Sequence, residues 1–222
     1  MGTLYLVRHG QASFGSDDYD RLSELGHRQS RLLGEHFQQR GRRFGHVFTG
    51  TLRRHRETYE GIADGLGHHL VAEQLPGLDE YNPEAIVRAV HDGELAPPAS
   101  PDAVRQHFRL LRDGLVAWMQ GRTEPVGMPR YADFAAGVSG ALARAREHGE
   151  GDVLIVSSGG PISVAVGLVL GLGPEAVVDL NLRIRNSAIT EFVATPKRHS
   201  LLSFNTLPHL DHPERADWVT YA

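Results

Sequence analysis

An apolar run that ends abruptly in a cation constrains this chain more than any other feature. Leu4-Tyr5-Leu6-Val7 is short, apolar at successive positions and β-prone, and it gives way at once to Arg8, His9 and Gly10. A run apolar on both of its faces fits a strand covered above and below, as in a parallel sheet with helices on each side. Ligands of such sheets bind beyond the carboxyl ends of the strands, which is where Arg8 and His9 fall. Gly10 allows either a positive-φ turn or a close approach of backbone. Arginine offers a rigid fork that matches phosphate oxygens, and neutral imidazole can take up a phosphoryl group covalently. Taken alone, the three residues fit equally well an arginine paired with a carboxylate beside a loop histidine.

The rest of the chain alternates strand and helix. Ser23 caps an expected helix with Leu25, Leu32, Leu33 and Phe37 on one stripe, and Gly41 follows it. A second strand is expected at His46–Thr49, a helix from Leu52 to Leu66, a third strand at Leu70–Ala72 and a loop at Pro76–Pro83. Residues 84–130 mix helical pieces with prolines and contain no β-like run, which predicts a small helical lid insertion over the carboxyl edge of the sheet. Phe14 to Asp20 reads as a surface loop over the same edge. A helix from about Tyr131 to His148 then leads to Asp152–Ser157, the clearest strand, which turns at Ser158-Gly159-Gly160-Pro161 into a helix up to Leu170. Ser187–Ala194 and Ser200–Asn205 are joined too tightly for a crossover and must pair antiparallel. The expected fold is a three-layer α/β/α domain spanning 1–222, its central sheet mostly parallel with an antiparallel edge strand.

Composition narrows the partners. The chain has 222 residues, 41% hydrophobic and 23% charged, with a formal net charge of −4, so no polyanion-binding surface is expected and nucleic acid is excluded as a partner. The absence of cysteine rules out a disulfide scaffold, a thiolate nucleophile and a thiolate-ligated metal. No leader is expected ahead of the first strand, and the apolar run around Val164–Leu172 is too short to span a bilayer, so a cytoplasmic protein without membrane association is expected. His68-His69 and His209-Leu-Asp-His212 lack a carboxylate set with ligand spacing and are read as surface histidines, not a metal site.

Four stretches then become candidates to meet at one edge: Arg8-His9-Gly10, Thr49–Arg54, Leu78-Asp79-Glu80 and Ser157–Gly160. Arg54 lies at the start of a helix just past a strand end, where the dipole already favours an anion, with Arg53 and Arg56 as rivals. Together these stretches resemble the histidine phosphatase superfamily, also called phosphoglycerate mutase-like, over nearly the whole chain. Leu6-Val-Arg-His-Gly10 is the most specific signature, Leu22-Ser-Glu-Leu-Gly-His-Arg-Gln29 resembles the segment that opens the first helix, Thr51-Leu-Arg-Arg-His-Arg-Glu-Thr58 selects Arg54 by register, and Leu78-Asp-Glu80 resembles the segment that supplies the proton donor.

The resemblance implies a cofactor-free, metal-independent phosphatase acting on a small phosphorylated molecule, as a monomer or homodimer. In it His9 attacks phosphorus, Glu80 protonates the leaving oxygen and water cleaves the phosphohistidine, while Arg8 and Arg54 hold the transferred oxygens. Ser158 and Gly159 are expected to complete the phosphate site. Here the chain departs from the pattern, because the family's late motif reads Ser-His-Gly and this sequence has Ser158 in place of its histidine. The departure leaves three readings: a slower or specialised phosphatase, a phospho-ligand binder without turnover, or a site in which another histidine, His209 being the first candidate, fills the place. A mutase-type phosphotransferase and a serine hydrolase built on Ser158 are the remaining rivals. The latter lacks the Gly-x-Ser-x-Gly pattern, since Val156 holds the first glycine position.

Overall fold

The computed structural model describes residues 2–13, 20–93, 100–147, 151–195 and 197–221. Most of the loop expected at 14–20 and the Pro97-Pro98 part of the expected lid lie outside the described residues. In chain order the elements are β1 (Gly2–Arg8), α1 (Glu24–Gln39), β2 (Phe44–Thr49), α2 (Arg53–Leu66), β3 (Glu73–Gln74), α3 (Pro83–Arg88), α4 (Pro101–Met119), α5 (Tyr131–Glu147), β4 (Asp152–Ser157), α6 (Gly159–Leu170), α7 (Pro174–Asn181), β5 (Ile189–Ala194) and β6 (His199–Thr206). The sheet runs β3-β2-β4-β1-β5-β6. β3, β2, β4 and β1 are parallel, β5 is antiparallel to β1, and β6 is antiparallel to β5, as expected.

The two-residue period of the strands divides the core cleanly. Leu4, Leu6, Val153 and Ile155 point to one face with Val138, Leu142, Ile162 and Ala165 of α5 and α6. Tyr5, Val7, Leu154 and Val156 point to the other with Leu33, Phe37 and Ile62 of α1 and α2. Each such fully buried aliphatic or aromatic side chain contributes roughly 1.5–3 kcal/mol, so both layers are needed to hold the central strands. A third cluster around Trp118 joins Ile86, Leu115 and Val178 and ties α3, α4 and α7 together.

Two boundaries move from their expected places. Leu70–Ala72 is not a strand: the Tyr59 hydroxyl donates to the Leu70 carbonyl and accepts from its amide, and Val71 is 97% exposed. The short third strand forms one step later, with Phe48 opposite Glu73. β5 starts at Ile189 instead of Ser187, because Ser187 is in the left-handed region at φ 56°, which ends a ladder. α7 was not anticipated.

Register is what positions the site. Arg8 lies opposite Ser157, and Thr49 opposite Val156, so three parallel strands finish side by side. The His9 amide donates to the Ser157 carbonyl at 2.9 Å and the Gly50 amide to the Val156 carbonyl at 3.1 Å, which extends the alignment into the loops.

Candidate active site

The strand ends bring together the residues singled out in the sequence. His9 is buried, and its Nδ1 lies 2.7 Å from the Gly10 carbonyl. That contact calls for a proton on Nδ1 and leaves Nε2 as the basic nitrogen. Burial first, then the positive charges of Arg8 and Arg54 and the neighbouring His55, hold the imidazole well below its ordinary pKa, so it is neutral at pH 7. Gly10 is needed for close approach and not for positive φ: a Cβ there would come 2.5 Å from the Gly26 carbonyl oxygen at the start of α1. The Gly10 amide donates to Thr58 Oγ1 at 3.0 Å, locking the loop to α2.

Arg8 donates through Nη1 to the carbonyls of Ile184 and of Tyr221, the latter at 2.8 Å. The end of the chain therefore folds back to the site, anchored by Gln29 Nε2 on the Trp218 carbonyl and Thr220 Oγ1. Arg54 is 8% exposed and donates from Nη1 to Asp20 Oδ1 at 2.7 Å. Its rivals face solvent: Arg53 is spread along α2 onto Glu57, and Arg56 turns back to the Thr51 carbonyl. The second oxygen of Asp20 caps α2 by accepting from the Arg53 amide.

Glu80 docks on the start of α6. Its carboxylate oxygens accept from the Gly160 amide at 3.0 and 3.2 Å, and a Cβ at Gly160 would lie 2.1 Å from Oε1. Burial of the carboxyl raises its pKa, opposed by that amide and by the charges of Arg54 and Arg8. A carboxyl whose proton is held more tightly by burial, within the field of two arginines, has the character of a general acid. Gly159 faces Arg8 and Asn181; a Cβ there would stand 3.9 Å from Arg8 Nε and 2.7 Å from Asn181 Oδ1.

Ser158 is buried at the N-cap of α6, and its Oγ is 2.7 Å from Nε2 of His55. The imidazole that meets Ser158 is therefore His55 and not His209, whose Nε2 is instead 2.9 Å from Ser187 Oγ. His55 stands inside the Thr51–Thr58 stretch read in the sequence, but as one more helix residue beside Arg54 it carried no sign of its direction. Nor could Asp20, Thr58 and the Tyr221 carbonyl be found from pattern. Four arginines of the 84–130 stretch pair at the surface, Arg88 with Glu84, Arg105 with Asp102, Arg112 with Asp179 and Arg130 with Asp133. A small cleft lined by Tyr81, Trp118, Phe134 and Asn181 adjoins Gly160.

With this geometry in view, the sequence model of the histidine phosphatase superfamily (branch 1) matches residues 4–207. The chain belongs to that superfamily. It is a histidine-phosphatase-type hydrolase. Comparison with curated protein sequences returned no relative. Among solved structures the fold is similar to a phosphoserine phosphatase from Entamoeba histolytica (19% identity, TM-score 0.67, covering 95% of this chain and 100% of that one). It is similar too to a mycobacterial glucosyl-3-phosphoglycerate phosphatase (23%, TM-score 0.65, 92% and 98%). A phosphoglycerate mutase from Bacillus anthracis also matches (19%, TM-score 0.64, 93% and 94%). Among the described residues, no helix is long and apolar enough to cross a membrane.

Proposed function

We propose that this histidine phosphatase hydrolyses a small phosphomonoester through a phosphohistidine on His9, without a metal. The reading rests on one observation above the others: a neutral imidazole with Nδ1 committed to the Gly10 carbonyl, set among Arg8, Arg54 and Glu80. Nε2 of His9 attacks phosphorus in line, and the ester oxygen leaves with the proton of Glu80. Arg8 and Arg54 receive the charge that spreads over the transferred oxygens, helped by the Gly159 amide at the start of α6. Glu80, now a carboxylate, takes a proton from the water that cleaves the phosphohistidine, which restores both groups.

Phosphate entering the site competes with Asp20 Oδ1 for Arg54 Nη1. The aromatic cleft beside Gly160 is the place for the leaving group, with Leu115, Trp118 and Met119 of α4 along one wall. Release of inorganic phosphate from a panel of phosphomonoesters, without added metal, tests the function. Acid-labile phosphate on His9 in the quenched enzyme tests the mechanism. Silence across the panel with orthophosphate still binding would turn the reading into that of a phospho-ligand binder. Transfer of the phosphoryl group to a second alcohol in preference to water would make it a mutase.

A further inference from the structure

His55 and Asp79 lie at the centre of the site and have no part in the scheme above. His55 is fully buried on the first turn of α2, with its ring centre 5.8 Å from that of His9 and its Nε2 2.7 Å from Ser158 Oγ. Its Nδ1 finds no hydrogen-bond partner among the described residues and faces Asp79 Oδ1 at 3.7 Å. Asp79 is pinned by the Thr51 amide at 2.6 Å and the Thr51 hydroxyl at 2.5 Å. Gly50 makes room for the pair: a Cβ there would stand 2.2 Å from His55 Nδ1 and 2.4 Å from Asp79 Oδ1. The groups that set the charge on this ring are Arg54 and Arg56 from α2, Asp79 from the loop before α3, His9 from the end of β1 and Ser158 from the start of α6.

We propose that His55 is a positioning residue that supplies, through Ser158, the positive charge on the β4 side of the phosphate site. The inference rests on the phosphohistidine reading. In the empty site the Asp79 carboxylate favours a proton on Nδ1, so Nε2 accepts from the Ser158 hydroxyl and turns it away from His9. Burial and the two arginines keep the ring neutral there, with its pKa down at about 3. A bound phosphoryl dianion reverses the balance, since a buried cation is tolerated once an opposite charge adjoins it. His55 then takes a proton from solvent, its Nε2–H donates to Ser158 Oγ, and the serine hydroxyl swings to donate to a phosphoryl oxygen. The outcome is a charge-backed hydrogen bond delivered by two residues in relay. Ser158 is not presented as a nucleophile: its backbone is ordinary extended chain at φ −116° and ψ 173°, not a strained turn that projects the hydroxyl.

Two measurements on the full chain decide the matter. In 15N-histidine-labelled protein at pH 7, the His55 ring nitrogens report neutral imidazole without ligand and imidazolium with saturating orthophosphate; a ring that stays neutral with phosphate bound overturns the inference. In kinetics, His55→Ala and Ser158→Ala each lower kcat by about 10- to 100-fold, and the double variant is no worse than either single one. His55→Gln, which keeps a neutral N–H toward Ser158, recovers little of the loss; full activity in that variant, or strictly additive single effects, overturns the proposal. The combined variant His55→Ala with Ser158→His places an imidazole at the other end of the same path and restores kcat to within about threefold, whereas Ser158→His alone collides with the His55 ring and lowers it. Ester hydrolysis that survives His9→Ala and is lost in Ser158→Ala would also overturn it, since Ser158 would then be a nucleophile. If no phosphomonoester is turned over and His9 is never phosphorylated, the phosphatase reading fails, and the orthophosphate titration of His55 still judges this inference by itself.

Discussion

Two regions of this molecule contain the same device, a fully buried histidine whose Nε2 meets a serine hydroxyl. His55 with Ser158 sits at the strand ends, and His209 with Ser187 sits under the tail, 2.7 and 2.9 Å apart respectively. Both rings have their pKa pushed down to about 3 by burial. Their surroundings separate them. His55 looks toward His9 and Asp79, whereas His209 lies by the apolar cluster of Ala188, Leu207 and Leu210, with its carbonyl held by Arg215. A depressed pKa by itself therefore marks burial, and only the company a histidine keeps marks a site.

The contrast can be attacked in order of expected effect. His9→Ala sets the scale: loss of the nucleophile adjoining only the first pair removes turnover by at least about 10⁴-fold in a phosphate-release assay. Normal turnover in that variant would leave the His55 region no better placed than the His209 region. Glu80→Gln should cost roughly 10²- to 10³-fold with alkyl phosphates and far less with p-nitrophenyl phosphate, whose leaving group needs no proton. Because the Glu80 carboxyl is active protonated and its pKa is raised, its ionisation forms the alkaline limb of kcat/KM, and that limb disappears in Glu80→Gln. Arg54→Ala should lower kcat/KM by about 10²-fold, with Arg53→Ala within about threefold of the unsubstituted protein; equal effects would mean that burial of Arg54 has no bearing on the site.

The smallest effect on activity belongs to His209→Gln, which should leave turnover unchanged. Its signature is in stability. Both buried rings are neutral in the folded chain and gain a proton on unfolding below about pH 6.5, so the unfolded state binds more protons and stability falls as pH falls. Each ring contributes a slope of about 1.4 kcal/mol per pH unit between that value and about 3. Urea unfolding at pH 7, 6 and 5 should show the slope shallower by one such increment in His209→Gln. An unchanged slope would deny that the ring is held neutral.

Much of the architecture was legible because burial imposes period on sequence. The doubly covered run at Leu4–Val7, the strand before Ser158 and the Ser23 cap were each visible in a few residues, since each answers a local requirement. Leu70–Ala72 looked just as β-prone, but the Tyr59 hydroxyl, eleven residues away, captured its backbone. At the site, Arg8, His9, Arg54 and Glu80 lay in stretches that matched a known pattern. His55 lay in one of them too, yet a histidine beside three arginines on a helix reads as surface until the helix is docked.

What the amino-acid order determined unaided was where β1, β2 and β4 end and the chemistry waiting there, because short apolar runs and their abrupt polar stops depend only on near neighbours. What waited on the folded chain was direction. The parallel register of β1, β2 and β4 puts residues about 40 and 150 positions apart on one rim, and the glycine-lined space at Gly50 lets α2 turn His55 inward onto Ser158. Such contacts join segments distant in the chain, so no local stretch encodes them, and they exist only once both helical layers have closed on the sheet.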